Sequence, residues 1–80
     1  MKIPVIKKLV ESFSEAELVQ AENDILEGIN LSIDVEGEDE GEQLTHVIAA
    51  AFILKEMKER QIDFKEALRV YTKKVRESIN

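Results

Sequence analysis

A small all-α bundle of four helices, with a long central third helix and an acidic loop before it, is the fold that this 80-residue sequence predicts. Three observations carry that expectation. One helix-start pattern occurs three times: Ser14-Glu15-Ala16-Glu17, Asp39-Glu40-Gly41-Glu42 and Asp63-Phe64-Lys65-Glu66 each set a short oxygen-bearing residue three positions before a glutamate, the arrangement of a capping box. Behind each start, apolar residues recur at the period of a helix. Period-two alternation is confined to Leu31, Ile33 and Val35, a stretch too short and isolated to pair into a sheet.

The first helix is expected over about 4–12. Pro4 suits its first position, where a missing N–H leaves nothing unpaired. Ile6, Leu9, Val10 and Phe13 share one face, and Phe13, just ahead of the Ser14 cap, is placed to staple onto Leu18. The second helix is expected over about 15–28: Leu18, Val19, Glu22, Ile25, Leu26 and Ile29 follow its period, Glu15, Glu17, Asp24 and Glu27 make an acidic outer face, and Gly28 is the stop. Residues 30–38 read as an extended connection whose three apolar side chains pin it to the bundle, with Gly37 giving it freedom before the next cap.

The third helix, about 40–60, carries Leu44, Val47, Ala50, Ala51, Leu54 and Met57 along its main stripe. Ile48, Phe52 and Ile53 point elsewhere, so the eight consecutive apolar residues from Val47 to Leu54 clothe the whole circumference. A helix that is apolar all round is buried all round. One short chain can hardly wrap such a helix, so a homodimer is expected, with Val47, Ala50, Phe52, Ile53, Leu54 and Met57 at its interface. The fourth helix, about 64–78, repeats Phe64, Leu68, Tyr71 and Val75 on one face, with Ala67 and Ile79 beside it. Arg69, Lys73, Lys74 and Arg76 crowd its last turns, where cations suit the negative end of the helix dipole.

Charge is segregated along the chain. No lysine or arginine lies between Lys8 and Lys55, and that stretch holds twelve of the seventeen carboxylates. The flanking segments are each net positive, and the sum is −6. Such a balance argues against nucleic-acid binding, which draws on counterion release by basic groups, and the scarcity of aromatic residues removes stacking platforms. The apolar runs are far short of the ~20 residues that span a bilayer, so no membrane role is expected. Lys7 and Lys8 interrupt the apolar N-terminus before a signal-peptide core forms. With no cysteine, disulfides and thiolate metal sites are excluded, and a cytoplasmic setting is expected. A core this small needs reinforcement, and oligomerisation is the form of it that remains.

Three constellations invite chemistry. The acidic run from Asp34 through Glu42 could collect a hard cation on Asp34, Glu36, Glu38 and Glu42, with His46 as a further ligand. The spacing does not fit an EF-hand loop: counting from Asp34, Asp39 stands where the glycine belongs and Thr45 where the closing glutamate belongs. The plainer reading is a solvated loop ending in an N-cap. His46 lies four residues after Glu42, close enough on a helix to share a metal or a proton; the plainer reading is a partly exposed histidine bonded to Glu42. The basic end of the fourth helix could hold a phosphate, but as a complement to the acidic second helix, within the chain or across a dimer, it needs no ligand. No glycine-rich phosphate loop occurs, and a Ser32, Asp34 and His46 triad is a combination any one-histidine chain allows. No enzyme activity and no cofactor are expected.

The opening Met1-Lys2-Ile3-Pro4-Val5-Ile6-Lys7-Lys8-Leu9-Val10-Glu11 and the stretch Glu36-Gly37-Glu38-Asp39-Glu40-Gly41-Glu42-Gln43-Leu44-Thr45-His46 resemble a family of short, uncharacterised bacterial proteins with no assigned activity. The resemblance runs the length of the chain and implies a small all-helical fold, with no functional residues to carry over. Charge and patterning then favour a non-enzymatic homodimeric interaction module that presents the 34–42 loop and the second helix to a basic protein partner. The alternative is a divalent-cation-binding protein using the same loop and His46.

Overall fold

The computed structural model describes residues 2–79, with side-chain environments through residue 78. Four helices follow in order: α1 (Ile3–Ser12), α2 (Glu15–Glu27), α3 (Glu40–Arg60) and α4 (Phe64–Ile79). There is no strand among the described residues. α1, α2 and α4 each pack against α3, which is the hub of the fold.

The caps explain the boundaries. Ser14 forms the full reciprocal box: its Oγ accepts from the Glu17 amide at 3.2 Å, and Glu17 Oε1 accepts from the Ser14 amide at 2.9 Å. Asp39 accepts from the Glu42 amide at 2.8 Å, but the Glu42 carboxylate turns one residue further back, to the Glu38 amide at 3.0 Å. Asp63 accepts from the Glu66 amide at 2.9 Å, and no return bond is formed. The three starts are therefore one complete box and two partial ones, each satisfying an orphan donor of its helix. α1 begins one residue earlier than expected, so Pro4 occupies the second helical position behind Lys2 as N-cap.

α2 ends as the sequence indicates. Gly28 adopts φ 72°, its amide bonds the Ile25 carbonyl at 3.2 Å, and the Ile29 amide bonds the Asp24 carbonyl at 2.8 Å, which together make a Schellman closure. The connection after it is extended and alternating: Val35 is buried, Leu31 and Ile33 pack partly buried on the core, and Ser32, Asp34 and Glu36 face water. Gly37 is there for space rather than for freedom. A Cβ at this position would stand 2.8 Å from both the backbone nitrogen and the Cγ of Gln43. That close approach lets Gln43 Nε2 reach the Val35 carbonyl at 2.8 Å and tie the loop to α3.

Two expectations change. The belt from Val47 to Leu54 is largely covered within one chain, Ile48 excepted. Val47, Ala49, Ala50 and Ile53 are sealed by the protomer's own helices, and Ala51, Phe52, Leu54 and Met57 are partly buried against the same core. The small side chains of Ala49 and Ala50 on α3, Ala21 on α2 and Ala67 on α4 are themselves fully or almost fully buried, and they let the helices approach closely enough for three of them to wrap α3. The second change is the phase of α2. Its inward residues are Leu18, Ala21 and Asp24, with Ile25 at the margin, while Val19, Leu26 and Ile29 face solvent. Asp24, expected on the outer acidic face, is buried and accepts from Gln20 Nε2 at 2.9 Å. Ile79, expected beside the α4 stripe, lies outside the described side chains.

Candidate functional site

His46 is fully buried and both ring nitrogens are engaged. The Lys2 backbone amide donates to Nε2 at 3.0 Å, and Nδ1 lies 2.8 Å from the Glu36 carbonyl oxygen. Since Nε2 accepts, Nδ1 carries the hydrogen and donates to Glu36. One imidazole on α3 therefore holds the N-cap of α1 and the middle of the acidic loop at once. This corrects the two sequence readings of His46. Glu42 is not its partner, and no ring lone pair remains for a metal, because the Lys2 amide occupies it.

The remaining members of the proposed cation set do not gather either. Asp34, Glu36 and Glu38 project into solvent from an extended strand of chain, and Glu42 is committed to the Glu38 amide. Among the described residues, no three of His, Asp and Glu converge as a ligand set. The extended backbone is the physical reason: Asp34, Glu36 and Glu38 fall on one side of it but about 6–7 Å apart from one to the next, strung along a line and not gathered round a point.

Of the six residues expected at a dimer interface, Val47, Ala50 and Ile53 are sealed within the protomer. Phe52, Leu54 and Met57 are partly buried against its core. Phe52 has its own neighbours: the Tyr71 ring at 5.5 Å between centroids, tilted by 56°, and the Lys74 ammonium 5.6 Å above its face. Ile3 on α1 apart, the exposed large apolar residues lie instead on two other lines. One is the outer side of α2, with Val19, Leu26 and Ile29 at 43%, 63% and 53% exposure. The other runs between α3 and α4, where Ile48 and Val75 are 38% and 39% exposed. A groove of ≈ 390 Å³, lined by Thr45, Tyr71, Thr72, Val75 and Arg76, opens along this seam. The signal for the α2 line was present in the sequence: Leu18, Ala21 and Ile25 form an equally good inward stripe, but alanine is a weaker hydrophobic mark than valine or leucine.

Electrostatically the two lines are opposites. α2 holds five carboxylates and no cation, and α4 exposes Arg69, Lys73, Lys74 and Arg76. Among the described residues the one ion pair is Arg60 Nε to Glu56 Oε2 at 2.7 Å, within α3. The acidic middle of the chain and the basic fourth helix thus make no ion pair with each other. Two smaller cavities measure ≈ 80 Å³, lined by Lys8, Ser12, Asp34 and Glu36 among others, and ≈ 150 Å³, beside Glu40 and Gln43. Tyr71 is the titratable group with a clear perturbation: partial burial raises its hydroxyl above the ordinary 10.0. No helix of the described residues is long and apolar enough to cross a membrane.

In comparison with known proteins, residues 1–80 match the model of a family described as of unknown function, DUF6952. No curated protein and no solved structure matches the chain.

Proposed function

The chain belongs to the DUF6952 family, whose function is unknown, and from that premise and its surface we propose that it is a non-enzymatic interaction module whose acidic face docks a basic protein partner. One observation carries the reading. The carboxylates of the 34–42 loop and of α2 are exposed, save the half-buried Glu15, Glu22 and Glu42 and the buried Asp24, and among the described residues none of them is in an ion pair with the chain's own cations. A field of one sign left unneutralised steers an oppositely charged partner and speeds encounter, with a strong salt dependence. The imidazole that an acid–base or metal chemistry would need is consumed in holding α1 to the loop. The setting we assign is the bacterial cytoplasm, in keeping with the resemblance and the absence of cysteine.

Titration of the ¹⁵N-labelled chain with a lysine-rich amphipathic peptide tests this. Amide shifts should concentrate on residues 34–42 and α2, shrink as salt is raised, and weaken when Glu36, Glu38 and Glu40 are replaced by glutamine. No shift at low salt, or shifts indifferent to the three substitutions, would overturn the reading.

A further inference from the structure

We infer that the chain associates with copies of itself head to tail, the outer stripe of α2 in one copy lying in the α3–α4 groove of the next. The inference rests on the reading of α2 as a docking face and names one partner for it. The two surfaces match in shape and chemistry. Val19 and Leu26 stand two turns apart on α2, with Ile29 just past its end, so the helix offers apolar anchors at the spacing with which an amphipathic helix fills a groove. Tyr71 and Val75 give the groove its apolar lining beside Thr45 and Thr72, Arg76 borders it, and the exposed Ile48 follows Thr45 one turn along α3. At ~1.5 Å per residue, Val19 and Leu26 stand ~10 Å apart along α2, and Tyr71 to Arg76, which line the groove, span ~8 Å of α4.

Charge selects the arrangement. Two grooves facing each other would set the α4 cations against themselves, and two α2 stripes would set glutamates against glutamates. Only the unlike pairing brings the glutamates of α2 towards the cations of α4, of which Arg76 borders the groove. Such a contact is heterologous: each copy keeps a free stripe at one end and a free groove at the other, so association continues into rings or open chains rather than stopping at a two-fold dimer.

Sedimentation and light scattering on four samples decide this. The first is the wild type over a concentration series at low and high salt. The second, Ile48→Glu with Val75→Glu, blocks the groove. The third, Val19→Lys with Leu26→Lys, blocks the stripe. The fourth is an equimolar mixture of the two variants. All four positions are exposed, so the variants should keep the wild-type helical circular dichroism, which is checked first. The wild type should rise in mean mass above the 9.1 kDa protomer with concentration and fall back with salt. Each variant alone should remain a protomer. The mixture should form a 1:1 pair and no larger species, because one variant retains the groove and the other the stripe. A wild type that stays a protomer at millimolar concentration and low salt, a variant that still self-associates, or a mixture that fails to pair would overturn the inference. The groove-blocked variant keeps the whole acidic face. If the wild type stays a protomer while this variant still gives the peptide-induced shifts, the docking reading stands and only the self-association falls.

Discussion

Replacing His46 by leucine tests the buried link between α1 and the acidic loop. The substitution keeps an apolar body of similar size at a fully buried position, so it creates little void, but it removes both bonds at once. The Lys2 amide then loses its acceptor and the Glu36 carbonyl its donor. An orphaned buried polar group costs about 1–3 kcal/mol. Lys2 and Glu36 are themselves exposed residues and water can reach part of each, so the lower end applies and the sum is about 2 kcal/mol. Alanine at the same position adds a cavity and should cost about 3–4 kcal/mol. A domain of this length has about 4–12 kcal/mol in total. With a urea slope of about 1 kcal/mol per molar, His46→Leu should lower the midpoint by about 2 M. Amide exchange should accelerate first at Val5 and Ile6, whose amides bond the Lys2 carbonyl at 3.1 and 3.2 Å. Nitrogen chemical shifts of the wild-type ring should report hydrogen on Nδ1. An Nε2–H tautomer, or a leucine variant with an unmoved midpoint, would refute the link.

Two further outcomes follow from geometry already described. Gly37→Ala should destabilise by about 1–3 kcal/mol, the usual cost of overpacking, because its Cβ would meet the Gln43 backbone nitrogen, which cannot swing aside; thermal melting of the pair of proteins measures it. Tyr71 should make the fold sensitive to alkali. Burial raises its hydroxyl above 10.0, so the native state keeps a proton that the unfolded chain gives up; its contribution is intact below 10.0 and is lost as pH climbs through the native value. Urea midpoints across that range, compared with Tyr71→Phe, should show the wild type losing more stability, and parallel curves would remove the argument.

The helices were legible because their starts are written in local chemistry. An N-cap oxygen and a glutamate act within one turn, so Ser14, Asp39 and Asp63 announce α2, α3 and α4 without reference to anything distant. Gly28 and the alternation at Leu31, Ile33 and Val35 are equally local. The roles of particular side chains were not, because they are decided by partners far along the chain. His46 is held by a backbone amide 44 positions away, and nothing in Glu42-Gln43-Leu44-Thr45-His46 points to Lys2. The α2 phase was misread for a related reason. Hydrophobicity ranks Val19 and Leu26 above Ala21, yet beside a helix as alanine-rich as α3 the close approach favours the small residue inside. The circumference argument at Val47–Leu54 weighed side-chain size and not helix spacing: within one chain Val47, Ala49, Ala50 and Ile53 are already covered, while Ile48 stays exposed.

That misreading bears on the surface. Exposed apolar side chains are ordinary when scattered singly, and folding does not require the ones seen here, since Val19, Leu26, Ile48 and Val75 contribute little to a core already closed without them. What sets them apart is their distribution. They fall along two lines, one on a helix whose charged side chains are all acidic and one along a helix rich in cations. Segregation of charge along the sequence has thus become segregation between surfaces, because α2 and α4 each pack on α3. Among the described residues the two fields leave each other unpaired within the chain, and in the head-to-tail contact proposed above each meets its complement together with apolar area to bury. Exposed ion pairs contribute about 0–1 kcal/mol each, so charge alone would orient such a contact without holding it. The apolar lines supply the attraction that charge lacks, and the charges supply the direction that apolar contact lacks.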